Sequence, residues 1–242
     1  MKRCHLWYGL ALATTLAAGS ARAVSLPADL NLVDLIDLSD SIVVGTVTSV
    51  TDGIDGTYGL PYTEVTLSVE ETLKGTQSPG APYTFHQLGL LTPRLSADGT
   101  KIMPEAPPGI PRYDAGDRVM LFLGPPASVT GLQSTVALGI GRFELNVGNA
   151  INDLDNTGVF QNISLANGLA TYNDERILAT TAGAVNQADF LSFVRRAVEA
   201  NWIDTCRMWK TDQGMPNCGL QPRPRQIKPK GSLSTSPTVG VK

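Results

Sequence analysis

Histidine is the side chain best suited to moving protons near neutral pH, and the chain has two, His5 and His86. His5 lies in an N-terminal leader described below, so a catalytic triad would have to be built on His86. Thr84, Ser68 and Ser128 offer hydroxyls for such a base to activate, and no spacing favours any of them. There is no G-x-S-x-G elbow, no H-E-x-x-H pair and no P-loop. Glu70 and Glu71 are adjacent on an expected strand and point to opposite faces, so they cannot act together on one substrate. The expectation is a non-catalytic protein. The competing reading is an exported hydrolase with a site around His86.

Oxygen ligands come next. Asp153, Asp155 and Thr157 alternate ahead of Gly158, as in a calcium loop that turns sharply at glycine. The twelfth position would be Ser164, so the bidentate glutamate is missing. Asn152, Asp153, Asn156 and Gly158 read equally well as ordinary turn residues. Calcium is therefore the one cofactor considered, and otherwise none is expected.

Cys4 falls in the leader, which leaves Cys206 and Cys218. Two cysteines in an exported chain suggest a disulfide, worth roughly 3 kcal/mol for a loop of that length in the chain-entropy model. They supply only half a zinc site, and their spacing is not the C-x-x-C of redox proteins.

The elements that must position these groups begin after the leader. Lys2 and Arg3, the apolar run Leu6 to Ala18 and the triplet Ala21-Arg22-Ala23 match a signal peptide cleaved before Val24. Residues 1–23 are thus expected to direct the chain to the periplasm or medium. No second apolar stretch is long enough to span a bilayer.

A short helix should follow, with Ser25 as cap, Pro27 and Asp29 in its first turn, and Leu30, Val33 and Ile36 on one face. Strands are expected at Ser41 to Val50, Tyr62 to Leu73, Pro82 to Leu88, Arg118 to Leu123, Leu132 to Leu138 and Ile140 to Leu145. Gly45 should mark a bulge, and Asp52-Gly53 and Asp55-Gly56 a turn. Asn167-Gly168 should turn a hairpin between Val159–Leu165 and Leu169–Tyr172. Asn186 should cap a last helix carrying Phe190, Val194, Ala197 and Val198. From Gly219 the tail has four prolines, five basic residues and no acid, a composition that predicts disorder.

The full chain of 242 residues has a net charge of −3 and is 6% aromatic, which argues against nucleic-acid binding. Between the third and fourth strands lies a proline-rich connection from Gly89 to Asp117. A loop that long is usually functional or disordered. It mixes Leu90, Leu91, Ile102 and Ile110 with Arg94, Lys101 and Arg112, the blend of apolar anchors and polar rim found at protein-facing surfaces.

The run Ser39-Asp40-Ser41-Ile42-Val43-Val44-Gly45-Thr46-Val47 is followed by Tyr62-Thr63-Glu64-Val65-Thr66-Leu67-Ser68-Val69-Glu70-Glu71-Thr72-Leu73-Lys74-Gly75 and by Ala115-Gly116-Asp117-Arg118-Val119-Met120-Leu121-Phe122-Leu123. In this order they resemble the OB-like barrel of uncharacterised exported bacterial proteins, which in turn resemble netrin modules and tissue inhibitors of metalloproteinases. The resemblance covers about Leu26 to Leu145. It implies a mainly β fold, a five-stranded OB-like barrel with an N-terminal helix, an extra hairpin and a C-terminal helix. The expected layout is a barrel domain over 24–145, a hairpin and helix extension over 146–218 packed on it, and a tail over 219–242. The animal inhibitors place an N-terminal cysteine on the target's zinc. Val24 stands at the expected mature N-terminus here, so that mechanism does not carry over. The functional expectation is an exported binding module for a protein, such as an exported protease, or for a glycan.

Overall fold

The computed structural model describes residues 30–166, 172–214 and 216. Helix α1 (Leu32–Leu38) is started by Asn31, not Ser25, which lies outside the described residues with Pro27 and Asp29. Asn31 Oδ1 accepts from the Val33 N–H at 3.0 Å, and the Asp34 carboxylate accepts from the Asn31 N–H at 3.0 Å. These bonds satisfy N–H groups that a helix start otherwise leaves orphaned. At the other end the Lys74 ammonium donates to Ile36 O at 2.7 Å, a cation at the negative end of the helix.

Strands β1 (Ser41–Ile54) and β2 (Pro61–Lys74) form a long antiparallel hairpin, and β3 (Pro82–Leu88) pairs antiparallel with β2. The expected bulge is present: the register shifts between Val44 and Gly45, where a Cβ would stand 2.5 Å from Ser68 O. The turn expected at Asp52-Gly53 is instead strand. Gly53 gives room to the Tyr62 ring, and Asp52 is held by the loop beyond β3. Asp55 makes the turn, its carboxylate accepting from the Thr57 and Tyr58 N–H groups.

Inside the long connection, β4 (Arg94–Leu95) and β5 (Ile102–Met103) make a small hairpin. Strand β6 (Arg118–Leu123) returns to pair with β1. The strand expected at Leu132 to Leu138 reduces to a single bridge, Thr135 to Leu123, because Ala137 and Leu138 adopt left-handed φ of 54° and 55° and start a 3₁₀ turn, Leu138–Gly141. β7 (Arg142–Asn146) and β8 (Asn149–Asn152) then form a hairpin about Val147-Gly148.

β9 (Ile163–Leu165) pairs with β11 (Met208–Lys210), far along the chain. Its expected partner, Leu169 to Tyr172, falls largely outside the described residues, as do Asn167 and Gly168. β10 (Val185–Asn186) adds to β8, and Asn186 caps α2 (Gln187–Glu199) by accepting from the Asp189 N–H at 3.1 Å. Arg195, opposite the apolar stripe of α2, grips Glu71 of β2 through two bonds of 2.8 and 2.9 Å.

The fold is mainly β. Its principal sheet has seven antiparallel strands rather than five, in the order β10-β8-β7-β6-β1-β2-β3. The expected domain boundary at 145 falls inside β7, and the sheet runs on across it. Strict alternation gives β1 and β6 two buried faces. Ile42, Val44, Met120 and Phe122 face α1 and α2, with Phe143 and Phe190. Val43, Val47, Val119, Leu121 and Leu123 face a second core with Val65, Leu67 and Phe85. The segment before the 3₁₀ turn leans on both β3 and β6: Gln133 N–H donates to His86 O at 2.7 Å and Gly124 N–H to Ser134 O at 3.0 Å.

Candidate functional site

The end of β1, the Asp55 turn, the end of β3 and the β4–β5 hairpin converge at one pole. Asp52 fastens the hairpin, accepting from the Leu91 N–H at 2.8 Å and from Arg94 Nη1 at 2.7 Å. Burial pushes its carboxyl pKa up, but those two donors outweigh burial and hold it below the usual range. At the hairpin tip, Ser96 Oγ, Thr100 N–H and Thr100 Oγ1 all donate to Asp98 Oδ1. They lower that carboxyl to about 2.

This pole is apolar on its outside. Ile54, Tyr58, Leu88, Leu91, Leu95 and Ile102 are exposed, Leu95 to 62% and Ile102 to 73%, among eleven large exposed apolar side chains in the described residues. Scattered exposed apolar residues are ordinary, but a concentration of them at one end marks an interaction surface. Of the residues expected to form a binding loop, Leu91, Arg94, Lys101 and Ile102 stand here in the open.

Leu90 does not. It is 1% exposed, locked between Pro104 O and the Ala106 N–H by backbone bonds, and it must be removed from the expected binding set. Half-buried Ile110 and exposed Arg112 lie further along the loop beside a separate cavity. Ile54, Tyr58, Leu88 and Leu95 escaped sequence reasoning. For Ile54 and Tyr58 the available signal is their position beside turn residues, where an apolar side chain has no core to reach.

His86 stands on the outer face of β3. Its Nε2 lies 2.8 Å from Glu64 Oε2 across the β2–β3 ladder, and its ring stacks on Tyr62 with centroids 4.4 Å apart. Thr84 instead bonds to Thr66, Oγ to Oγ at 2.9 Å. A base with its orienting acid is thus present, but among the described residues no hydroxyl is hydrogen-bonded to it as a nucleophile.

The candidate calcium loop is a turn held by amides. Buried Asn156 accepts from the Asn152 N–H and donates to Ala150 O and Gly183 O. Asp153 turns to Arg142, 3.1 Å away, and Asp155 occupies a left-handed φ of 53°. The Thr157 N–H donates to Leu154 O. Among the described residues, no group of three or more His, Cys, Asp or Glu side chains is gathered to hold a metal ion. Cys206 is buried, and Cys218 lies outside the described residues.

Arg142 of β7 is buried under three carboxylates: Asp117 at 3.0 Å, Asp153 at 3.1 Å and Glu144 at 3.9 Å. Its guanidinium lies over the Tyr113 ring, 5.3 Å from the centroid. A cavity of about 520 Å³ opens beside it, walled by Ile110, Ile140 and Leu154, with Arg112 and Asp153 at its polar margin. Burial pushes the Asp153 carboxyl up, against the pull of Arg142.

Neither a scan of protein-family models nor a search of curated proteins finds a match to the chain. The functional reading therefore rests on the residues and their geometry.

Proposed function

We propose that the protein is an exported, non-catalytic binding module that presents the Ile54–Leu88–Ile102 pole to a protein partner. The observation that carries this reading is the clustering of six exposed apolar side chains about Arg94 and Lys101, on a hairpin whose turn is already ordered by Asp98. Preordering lowers the entropy lost on association. An apolar patch with basic residues among it suits a protein interface better than a glycan site.

The signal-like leader supports release of a mature chain starting at Val24, and a Cys206–Cys218 bridge belongs to the same exported reading. In it, β6, β1, β2 and β3 form an OB-like barrel, closed through the bonds that Gln133 and Thr135 make to β3 and β6. The Glu64–His86 contact favours the competing hydrolase reading.

The test compares three forms of the mature chain as bait in medium or periplasmic extract. Leu95→Asp with Ile102→Asp should lose the partner that the unaltered chain retains. Both positions are exposed, so stability should move by no more than about 0.5 kcal/mol each. His86→Ala should retain the partner. Loss with His86→Ala at an unchanged melting curve, together with retention by the double variant, would put the hydrolase first.

A further inference from the structure

The cavity beside Arg142 has a composition that the polar surface around it does not share. Ile110, Ile140 and Leu154 form an apolar wall, and three charged groups, Arg112, Arg142 and Asp153, share the lining, with Arg142 paired to Asp153 at 3.1 Å. At about 520 Å³ it is within the range of small-molecule sites, which are mostly apolar with a few fixed polar groups.

The carboxylate is deliberately seated. A Cβ on Gly139 would stand 2.8 Å from Asp153 Oδ2 and 2.9 Å from Asp153 Cβ, so this close approach requires glycine at position 139. Asp153 N–H also donates to Gly139 O, and Gly139 N–H to Gly109 O, which ties three walls of the cavity together. Arg142 is already matched by Asp117, so Asp153 and Glu144 leave a surplus of negative charge on this side. Arg112 comes to the cavity from the long loop and forms an ion pair with exposed Glu105 at 3.1 Å.

We infer that this cavity binds a free apolar α-amino acid: the ammonium group on Asp153, the carboxylate on Arg112 and the side chain against Ile110, Ile140 and Leu154. A ligand carrying only a positive charge would leave Arg112 without a ligand contact, and one carrying only a negative charge would meet the surplus carboxylate. The zwitterion answers both, and an apolar side chain fills the rest.

Calorimetric titration of the mature protein with L-leucine tests this. Saturable binding is expected, and N-acetyl-leucine and leucinamide should each bind at least about tenfold more weakly, since each lacks one charge-assisted contact. Asp153→Asn, which keeps the side chain's shape, and Arg112→Ala, at an exposed position, should each cause a similar loss. Gly139→Ala should weaken binding by displacing Asp153. No saturable heat with leucine at millimolar concentration would overturn the inference, as would equal binding of the acetylated or amidated probe, or unchanged affinity in both charge variants. Capture of a protein partner by the apolar pole is a separate readout. Leu95→Asp with Ile102→Asp should leave leucine binding as it is, so the two readings can fail independently.

Discussion

Asn156 gives a way to test two readings of the same residues. It is fully buried, and all three polar functions of its amide are used, tying the turn after β8 to β8 itself and to Gly183 ahead of β10. Its φ of 53° is left-handed, a conformation asparagine accepts more readily than most residues. Asn156→Ala should therefore lower stability by about 2–4 kcal/mol, through orphaned buried carbonyls and left-handed strain together. Asn156→Asp is the sharper change. In a calcium loop an added carboxylate would tighten the ion. Here it would aim a buried charge at Ala150 O and Gly183 O. Urea melts with and without millimolar calcium distinguish these cases: both variants should be destabilised, and calcium should restore neither. Recovery of Asn156→Asp by calcium would return Asp153, Asp155 and Thr157 to the role first read from their spacing.

Elements were legible where local pattern and burial agree. Gly45 in β1 is an instance, since β-branched neighbours mark a strand and the lone glycine marks its irregularity. Gly45→Ala would bring a Cβ to 2.5 Å from Ser68 O, a backbone atom that cannot step aside without moving β2. The expected cost is about 1–3 kcal/mol, read as a lowered midpoint in chemical denaturation with β1–β2 amides exchanging faster. A midpoint unchanged from the parent would show that the bulge is not pinned there. The same reasoning explains what could not be read. β8 follows a Val147-Gly148 turn that no Asn-Gly or Asp-Gly pair announces. Leu132 to Leu138 alternates like a strand, yet only Thr135 bridges to β6 before the backbone turns left-handed at Ala137 and Leu138. Leu90 looks like any loop leucine, and only the return of Pro104 to Ala106 across it makes it core. The binding hairpin was visible as a composition. The Arg142 cavity was not, because its walls come from three separate segments of the chain, 109–112, 139–142 and 153–154.

At the scale of the whole molecule, the seven-stranded sheet runs across position 145, and the residues on either side of it should unfold together. β1 and β6 each contribute side chains to both cores, so neither core can dissolve while the other keeps its strands intact. Arg195 of α2 adds a direct tie to Glu71 of β2. Phe190→Ala removes a fully buried ring from the helix-side core, and Leu67→Ala opens a hole in the other. Each should cost about 2–5 kcal/mol. The informative measurement is which part of the molecule reports the loss. Trp202 is buried against Phe193 on the helix side, at a centroid distance of 5.6 Å, and in a Trp209→Phe background of the mature chain its fluorescence follows that core. If the molecule unfolds as one unit, Leu67→Ala should lower the Trp202 midpoint as much as it lowers the far-ultraviolet midpoint, with one transition in each signal. Independent units would leave the Trp202 transition of Leu67→Ala where it stands in the parent protein, and Phe190→Ala would split the far-ultraviolet curve in two. Shared strands make the first outcome the expected one, because the energy of either core is spent on holding the same two strands in place.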